Sequence, residues 1–160
     1  LFPYTTLFRS FDHPTSHLRI KDTFGTLRQM YTNAPSRYHY GIDYAAKIPG
    51  VAGDSVCSES EGVVANTGYD RDVFGNYVIV DYGGGLVLGY YHGDSVVVSI
   101  GQTVERGQLI MYMGSTGNST GPHVHVAAKL HGISIDPFIL MWMSERYFLS
   151  TQKISPYPLR

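Results

Sequence analysis

Apolar and polar positions along this chain alternate over short stretches and show almost no helical period. Residues 61–67, 76–82, 86–91, 109–113 and 123–130 are each rich in Val, Ile and Tyr, the side chains that suit a half-buried pleated surface. Between them lie Gly68, the run Gly83-Gly84-Gly85, Gly101-Gln102, Arg106-Gly107 and the stretch from Gly114 to Gly121, all of them turn formers. Short strands punctuated in this way predict an antiparallel meander or a two-layer β structure with few short helices. The Gly-Gln echo at Gly101-Gln102 and Gly107-Gln108 predicts a local hairpin across residues 98–110. One helix start stands out. Asp136 is an N-cap acceptor, Pro137 takes the first helical position, and a short helix is expected through residues 138–141. No period is strong enough to imply a repeat architecture.

Composition narrows the class. A chain of 160 residues with 43% hydrophobic and 16% charged side chains is one ordinary globular domain. Twelve basic and 13 acidic residues leave a net charge of −1, so no electrostatic signal points to nucleic acid or to an anionic membrane. The single cysteine, Cys57, rules out an internal disulfide framework and a multi-cysteine metal site; it reads as a small core residue in a strand. The longest apolar run, from Phe138 to Met143, is far too short to span a bilayer. Leu1 to Ser10 resemble one reading frame of a sequencing-library adapter and are set apart from the fold. Residues 11–21 are then expected to be a linker or truncated upstream segment, 22–140 the domain, and 141–160 a C-terminal tail.

The chemistry is concentrated in the histidines. His39 and Asp43 are four residues apart, and with Gly41 between them the segment reads as extended chain, in which positions i and i+4 share a face. In Pro122-His123-Val124-His125-Val126, alternation puts both histidines on one strand face and both valines on the other. Such a set suits zinc better than calcium or magnesium. A single His-x-His pair is about as consistent with a solvated strand face; the two pairs together with His92 are harder to explain as coincidence. His13 and His17 read as solvated loop residues, and His131, before Gly132, as a turn residue.

In combination these motifs are highly specific. The chain carries His39-Tyr40-Gly41-Ile42-Asp43, then Tyr90-Tyr91-His92, then Gly114-Ser115-Thr116-Gly117-Asn118-Ser119-Thr120-Gly121-Pro122-His123-Val124-His125. It resembles the lysostaphin/LytM-type zinc metalloendopeptidases, peptidoglycan hydrolases, over about Asp22 to Leu140. The resemblance implies a small two-layer antiparallel β structure with an open groove, the duplicated hybrid motif. It implies one Zn²⁺ held by His39, Asp43 and His125, with His92 and His123 as non-ligand catalytic histidines. Spacing alone leaves open which of His123 and His125 ligates. It further implies a peptidoglycan peptide as substrate, in cross-links or stem peptides, and a location in the cell envelope, periplasmic or secreted, or on a phage virion. Tyr31 matches an upstream tyrosine that donates to the oxyanion in some relatives; packing is its competing role. Gly93 departs from the pattern, standing where a leucine is usual.

Two readings compete. Gly117-Asn118-Ser119-Thr120-Gly121 fits the Gly-x-Ser-x-Gly nucleophile motif, which needs a strand–elbow–helix context that this chain lacks. A non-catalytic wall-binding or hydrolase-regulating module of the same fold is the other. Retention of all five site positions argues against it.

Overall fold

The computed structural model describes residues 11–17, 19–29, 32 and 35–143. Leu1 to Ser10 and Tyr31 lie outside the described residues, as does the tail from 144 onward. The strands, in chain order, are β1 (Ile20–Asp22), β2 (Leu27–Arg28), β3 (Arg37–Tyr38), β4 (Ile42–Ala45), β5 (Ser55–Cys57), β6 (Gly62–Asp70), β7 (Gly75–Gly83), β8 (Leu86–Val96), β9 (Thr103–Val104), β10 (Leu109–Met113), β11 (His123–Leu130) and β12 (Ile133–Ile135). All pairings are antiparallel, and the main path runs β1-β4-β11-β8-β7-β6-β9, with β12 beside β11 and β2 paired with β3 in a separate ribbon.

Strand β8 organises the molecule. Up to Tyr91 it is flanked by β11, with Tyr91 opposite His125 and Leu88 opposite Ala128. Beyond His92 its neighbour on that side is β10, with Gly93 opposite Met113 and Val96 opposite Met111. The change of partner takes place at His92, whose φ of 67° is unusual for a residue with a Cβ. Past this bend, β10 and β5 form a second leaf. The core fills with Val78, Val80, Leu88, Tyr90, Val124 and Val126 from the main path and Val56, Ile110, Met111 and Met113 from the leaf, each fully buried. Full burial of such side chains contributes about 1.5–3 kcal/mol apiece. Gly93 has a packing reason: a Cβ there would sit 2.6 Å from the Met111 methyl. Met111 fills the space that a larger residue at 93 would need.

Several expectations change. Gly68 is not a turn but an interior position of β6, opposite Tyr77. The hairpin across 98–110 does not form: β9 pairs with β6, through Gly62–Val104 and Val63–Thr103, whereas β10 pairs with β5 and β8. Two turns with similar Gly-Gln sequences thus serve different neighbours. Cys57 is in a strand as expected, but it is half-buried and not a core residue. His131 does occupy a turn, with φ of 49°. The described residues of 11–19 lie against the sheet, and Ile20 and Lys21 are part of it in β1. Phe11 packs edge-on against Tyr82 with ring centroids 5.3 Å apart, and Asp12 N–H and Cys57 N–H bond to the Glu59 and Pro14 carbonyls. His17 is half-buried, its Nε2 3.0 Å from the Ala45 carbonyl, and is not a solvated loop residue. A helical turn runs through residues 137–143, starting at the expected cap: Asp136 Oδ1 accepts from Phe138 N–H at 3.0 Å.

Candidate metal centre

Antiparallel register sets up the site. His125 on β11 lies directly opposite Asp43 on β4 and Tyr91 on β8. His39 comes in from outside the sheet. It follows β3, and its own backbone is tied to the loop after β1: Gly25 N–H donates to its carbonyl, and its N–H to the Thr26 carbonyl. The chain then bends at Gly41 into β4. That bend, more than strand alternation, brings His39 beside Asp43. Glycine is required at 41 for space: an added Cβ would lie 2.6 Å from His125 Cε1 and 2.7 Å from Nε2.

Three donor atoms converge. His39 Nε2 is 2.9 Å from His125 Nδ1 and 3.1 Å from Asp43 Oδ1, and His125 Nδ1 is 2.8 Å from that same oxygen. His39 Nδ1 lies 2.9 Å from the Thr23 carbonyl. A carbonyl only accepts, so Nδ1 carries the proton and Nε2 turns a lone pair inward. Two acceptors 3.1 Å apart, a lone pair and a carboxylate oxygen, repel unless a proton or a cation sits between them. Tetrahedral bonds of about 2.0–2.1 Å require donors about 3.3 Å apart, and the observed spacings need only a slight opening to meet that. The donor set of two imidazoles and one carboxylate therefore fits a divalent metal ion of the zinc type. Among the described residues, these three form the group that could hold one.

The surroundings fix the charge on Asp43. Burial alone would raise its pKa. The His125 Nδ1 hydrogen bond at 2.8 Å, with the imidazoles of His39 and His123 close by, outweighs burial and holds it far below the usual carboxylate range. Its other oxygen, Oδ2, accepts from Arg28 Nη2 at 2.6 Å, and the Arg28 Nε–H donates to Asp22 Oδ2 at 2.6 Å. Arg28 is a site residue that sequence reasoning missed. It sits on the separate β2–β3 ribbon, and no motif marks it.

His92 and His123 stand next to this group, ring centroids 4.7 Å apart, with His92 6.2 Å from the His125 ring. Both are buried. His92 Nδ1 donates to the Thr116 carbonyl at 2.9 Å and His123 Nδ1 to the Gly121 carbonyl at 2.8 Å. By the same reasoning as for His39, each keeps an unprotonated Nε2. Burial pushes His92 down to about 4, with His123 and His125 adding to the shift against the Thr116 bond, and it lowers His123 as well. Both are neutral imidazoles near pH 7. The Gly114–Gly121 stretch is their anchor: Thr116 Oγ1 donates to the Gly93 carbonyl at 2.6 Å and accepts from Asn76 N–H at 3.0 Å. Thr116 was also missed, hidden inside a motif read as glycine turns. Ser119 Oγ lies 3.2 Å from His123 Nδ1, but it is also 3.0 Å from the Gly121 carbonyl. It braces the turn and stands on no strand–helix elbow.

An antiparallel β fold that gathers a His/Asp/His cluster beside two neutral histidines defines a metallopeptidase-like domain, and comparison with known proteins agrees. The family model described as Peptidase family M23 matches residues 37–137, and the chain belongs to that family. It is 34% identical over 117 residues to the peptidoglycan DD-endopeptidase ShyA of Vibrio cholerae, covering 73% of this chain and 26% of that protein. The crystal structure of a zinc-containing peptidase from Vibrio cholerae superposes with a TM-score of 0.72 at 29% identity, covering 83% of this chain and 40% of the other. The catalytic domain of lysostaphin from Staphylococcus simulans superposes with a TM-score of 0.67 at 25% identity, covering 78% and 92% of the two chains. The fold is lysostaphin-like. The chain spans about a quarter of the length of the curated relatives it matches.

Proposed function

We propose that this chain is a zinc-dependent endopeptidase that hydrolyses peptide bonds in bacterial peptidoglycan, in cross-links or stem peptides, outside the cytoplasm. The observation that carries this reading is the convergence of His39 Nε2, Asp43 Oδ1 and His125 Nδ1 beside two histidines whose Nε2 atoms carry free lone pairs. The family membership and the peptidoglycan endopeptidase named among its relatives support it. Among the described residues no helix is long and apolar enough to cross a membrane.

His39, Asp43 and His125 would hold the ion. When bound, zinc supplies a Lewis acid and makes water acidic enough to ionise near neutral pH. Asp43 contributes the one negative charge among the ligands, and Arg28 engages its second oxygen, favouring ligation through a single oxygen. His92 and His123 hold neutral Nε2 atoms toward the same space, so one can take the proton of the attacking water and deliver it to the leaving amine. Until that transfer the imidazolium so formed can stabilise the oxyanion of the tetrahedral intermediate, while the other histidine, still neutral, orients the water by accepting its second hydrogen. Their carbonyl anchors at Thr116 and Gly121 fix tautomer and ring orientation before substrate arrives.

The test is digestion of purified peptidoglycans of different cross-link chemistry by the zinc-loaded protein, with fragments identified by mass. New peptide termini that vanish on chelation are expected. Zinc bound without release of any fragment would instead support the non-catalytic wall-binding module.

A further inference from the structure

The sheet face that carries His125 does not end at the metal donors. It continues across β8 and β7 into a recess of about 480 Å³ lined by Tyr69, Phe74, Tyr77, Ile79 and Tyr91, with Asp70, Arg71 and Asp72 along one side. Two glycines shape its floor. A Cβ at Gly89 would lie 2.7 Å from Tyr91 Cε2, and one at Gly68 would lie 3.0 Å from Tyr77 Oη and 3.2 Å from Cζ. Tyr91 and Tyr77 therefore lie down over the bare backbone of their neighbours where tyrosines in a strand would ordinarily stand up. Phe74 closes the set, its ring centroid 4.7 Å from Tyr91 and 6.3 Å from Tyr77. The floor joins the metal site directly, since the Tyr91 and His125 centroids are 5.7 Å apart.

The wall is the β6–β7 turn. Asp70 Oδ1 accepts from the N–H groups of both Asp72 and Val73 at 2.9 Å, which commits Asp70 to the turn and holds Arg71 and Asp72 at its tip. A charged hairpin tip alone would be only a solvated turn. Here it stands over aromatic rings that remain open to solvent, with Phe74 41% and Tyr69 62% exposed. Aromatic surface beside a site, with Arg71 and Asp72 at the rim and Asp70 held in the turn behind them, suits a ligand with an apolar shaft and a zwitterionic end. A neutral sugar would stack on the rings but has no use for the opposite charges of Arg71 and Asp72.

We infer that this recess is a subsite for the side chain of a diamino acid in the substrate peptide, its methylenes over Tyr77 and Tyr91, its far carboxylate on Arg71 and its far ammonium on Asp72. The inference rests on the peptidoglycan reading above and adds a specificity to it: a diaminopimelyl residue, which has both groups at its far end, is preferred over a lysyl residue, which has only the ammonium.

Calorimetric titration of the zinc-loaded chain with L-Ala-γ-D-Glu-meso-diaminopimelate and with its L-lysine counterpart tests it. The diaminopimelyl peptide should bind about tenfold tighter. Arg71→Gln should erase that preference, and Asp72→Asn should weaken both peptides severalfold; both residues are exposed, and melting curves check that the variants fold. Equal affinity for the two peptides, a preference that survives Arg71→Gln, or displacement of the peptide by chito-oligosaccharide overturns the subsite. Hydrolysis of purified cross-linked peptidoglycans carrying diaminopimelate or lysine, followed in parallel, keeps the two claims apart. The expected binding pattern without any cleavage sinks the endopeptidase reading alone, whereas cleavage indifferent to the diamino acid and to Arg71→Gln sinks the subsite alone.

Discussion

Gly41 offers the sharpest test of how the metal donors are held, because it lies between two of them and its backbone needs no left-handed conformation. The effect of Gly41→Ala is therefore a matter of space. The new Cβ would sit 2.6 Å from His125 Cε1 and 2.7 Å from Nε2, and would also crowd the Val126 carbonyl. Ordinary contact begins at about 3.4 Å, so the imidazole must retreat by roughly 0.8 Å, the difference from the present 2.6 Å. Metal ligands tolerate about 0.2 Å. Pressure on the Val126 carbonyl also pushes β11 from β4 at the Val126–Ile42 pair, the register that sets His125 opposite Asp43. Overpacking of this sort destabilises by about 1–3 kcal/mol, or several degrees of melting temperature for a domain of this size. Zinc affinity should fall by at least about 10- to 100-fold, the range seen when a ligand's support is disturbed. Competition titration against a zinc chelator, beside a thermal melt, measures both. A variant that binds zinc within twofold of the parent and melts at the same temperature would show that the Gly41 approach has no part in holding His125.

Replacing His39, Asp43 or His125 by Ala should remove zinc and hydrolysis together, whereas His92→Ala or His123→Ala should keep zinc and lower hydrolysis by about 10² to 10⁴; if elemental analysis finds His123→Ala as empty as His125→Ala, the division between ligand and proton carrier is wrong. Chelation should abolish hydrolysis and added zinc restore it, while Ser119→Ala keeps most activity, since Ser119 only braces the turn beneath His123; an inactive Ser119→Ala with zinc in place would restore serine chemistry. Glu59 is fully buried with neither carboxyl oxygen hydrogen-bonded, and burial, then the Asp12 charge, raise it well above its ordinary 4.5. Its contribution is complete below pH 4.5 and is lost as pH rises, at up to about 1.4 kcal/mol per unit, because the unfolded chain releases this proton first. Relative to the parent, Glu59→Gln should gain melting temperature between pH 5 and 7, and parallel melting curves would refute a protonated Glu59.

What the sequence made legible is what depends on local pattern. Alternation through His123-Val124-His125-Val126 put both valines in the core, where each is fully buried. The Asp136-Pro137 start capped a helix as read. The failures share a cause: each depends on which segments become neighbours. Gly68 looks like a turn, yet it is the bare strand backbone over which Tyr77 lies. The Gly-Gln echo looks like a hairpin because nothing in two similar turns says that β9 will find β6 and β10 will find β5. Arg28 carries no motif; its place on Asp43 exists only because the β2–β3 ribbon folds back beside β4.

The same distinction explains why the site could be approached from sequence at all. His39 and Asp43 are held together by a bend of four residues, and His123 and His125 by a single strand, so each pair is a local fact. Only the joining of the pairs is long-range, and there one register, His125 opposite Asp43, does the work. A slip of one residue would turn every β11 side chain to the opposite face and point the histidines into the apolar core in place of the valines. The energetic price of that slip is high, because Val124 and Val126 would leave the core and two imidazoles would enter it without partners. The hydrophobic pattern of β11 thus fixes the candidate metal donors indirectly. The chemistry is accurate in position because the core, and not the ion, holds the strand in register.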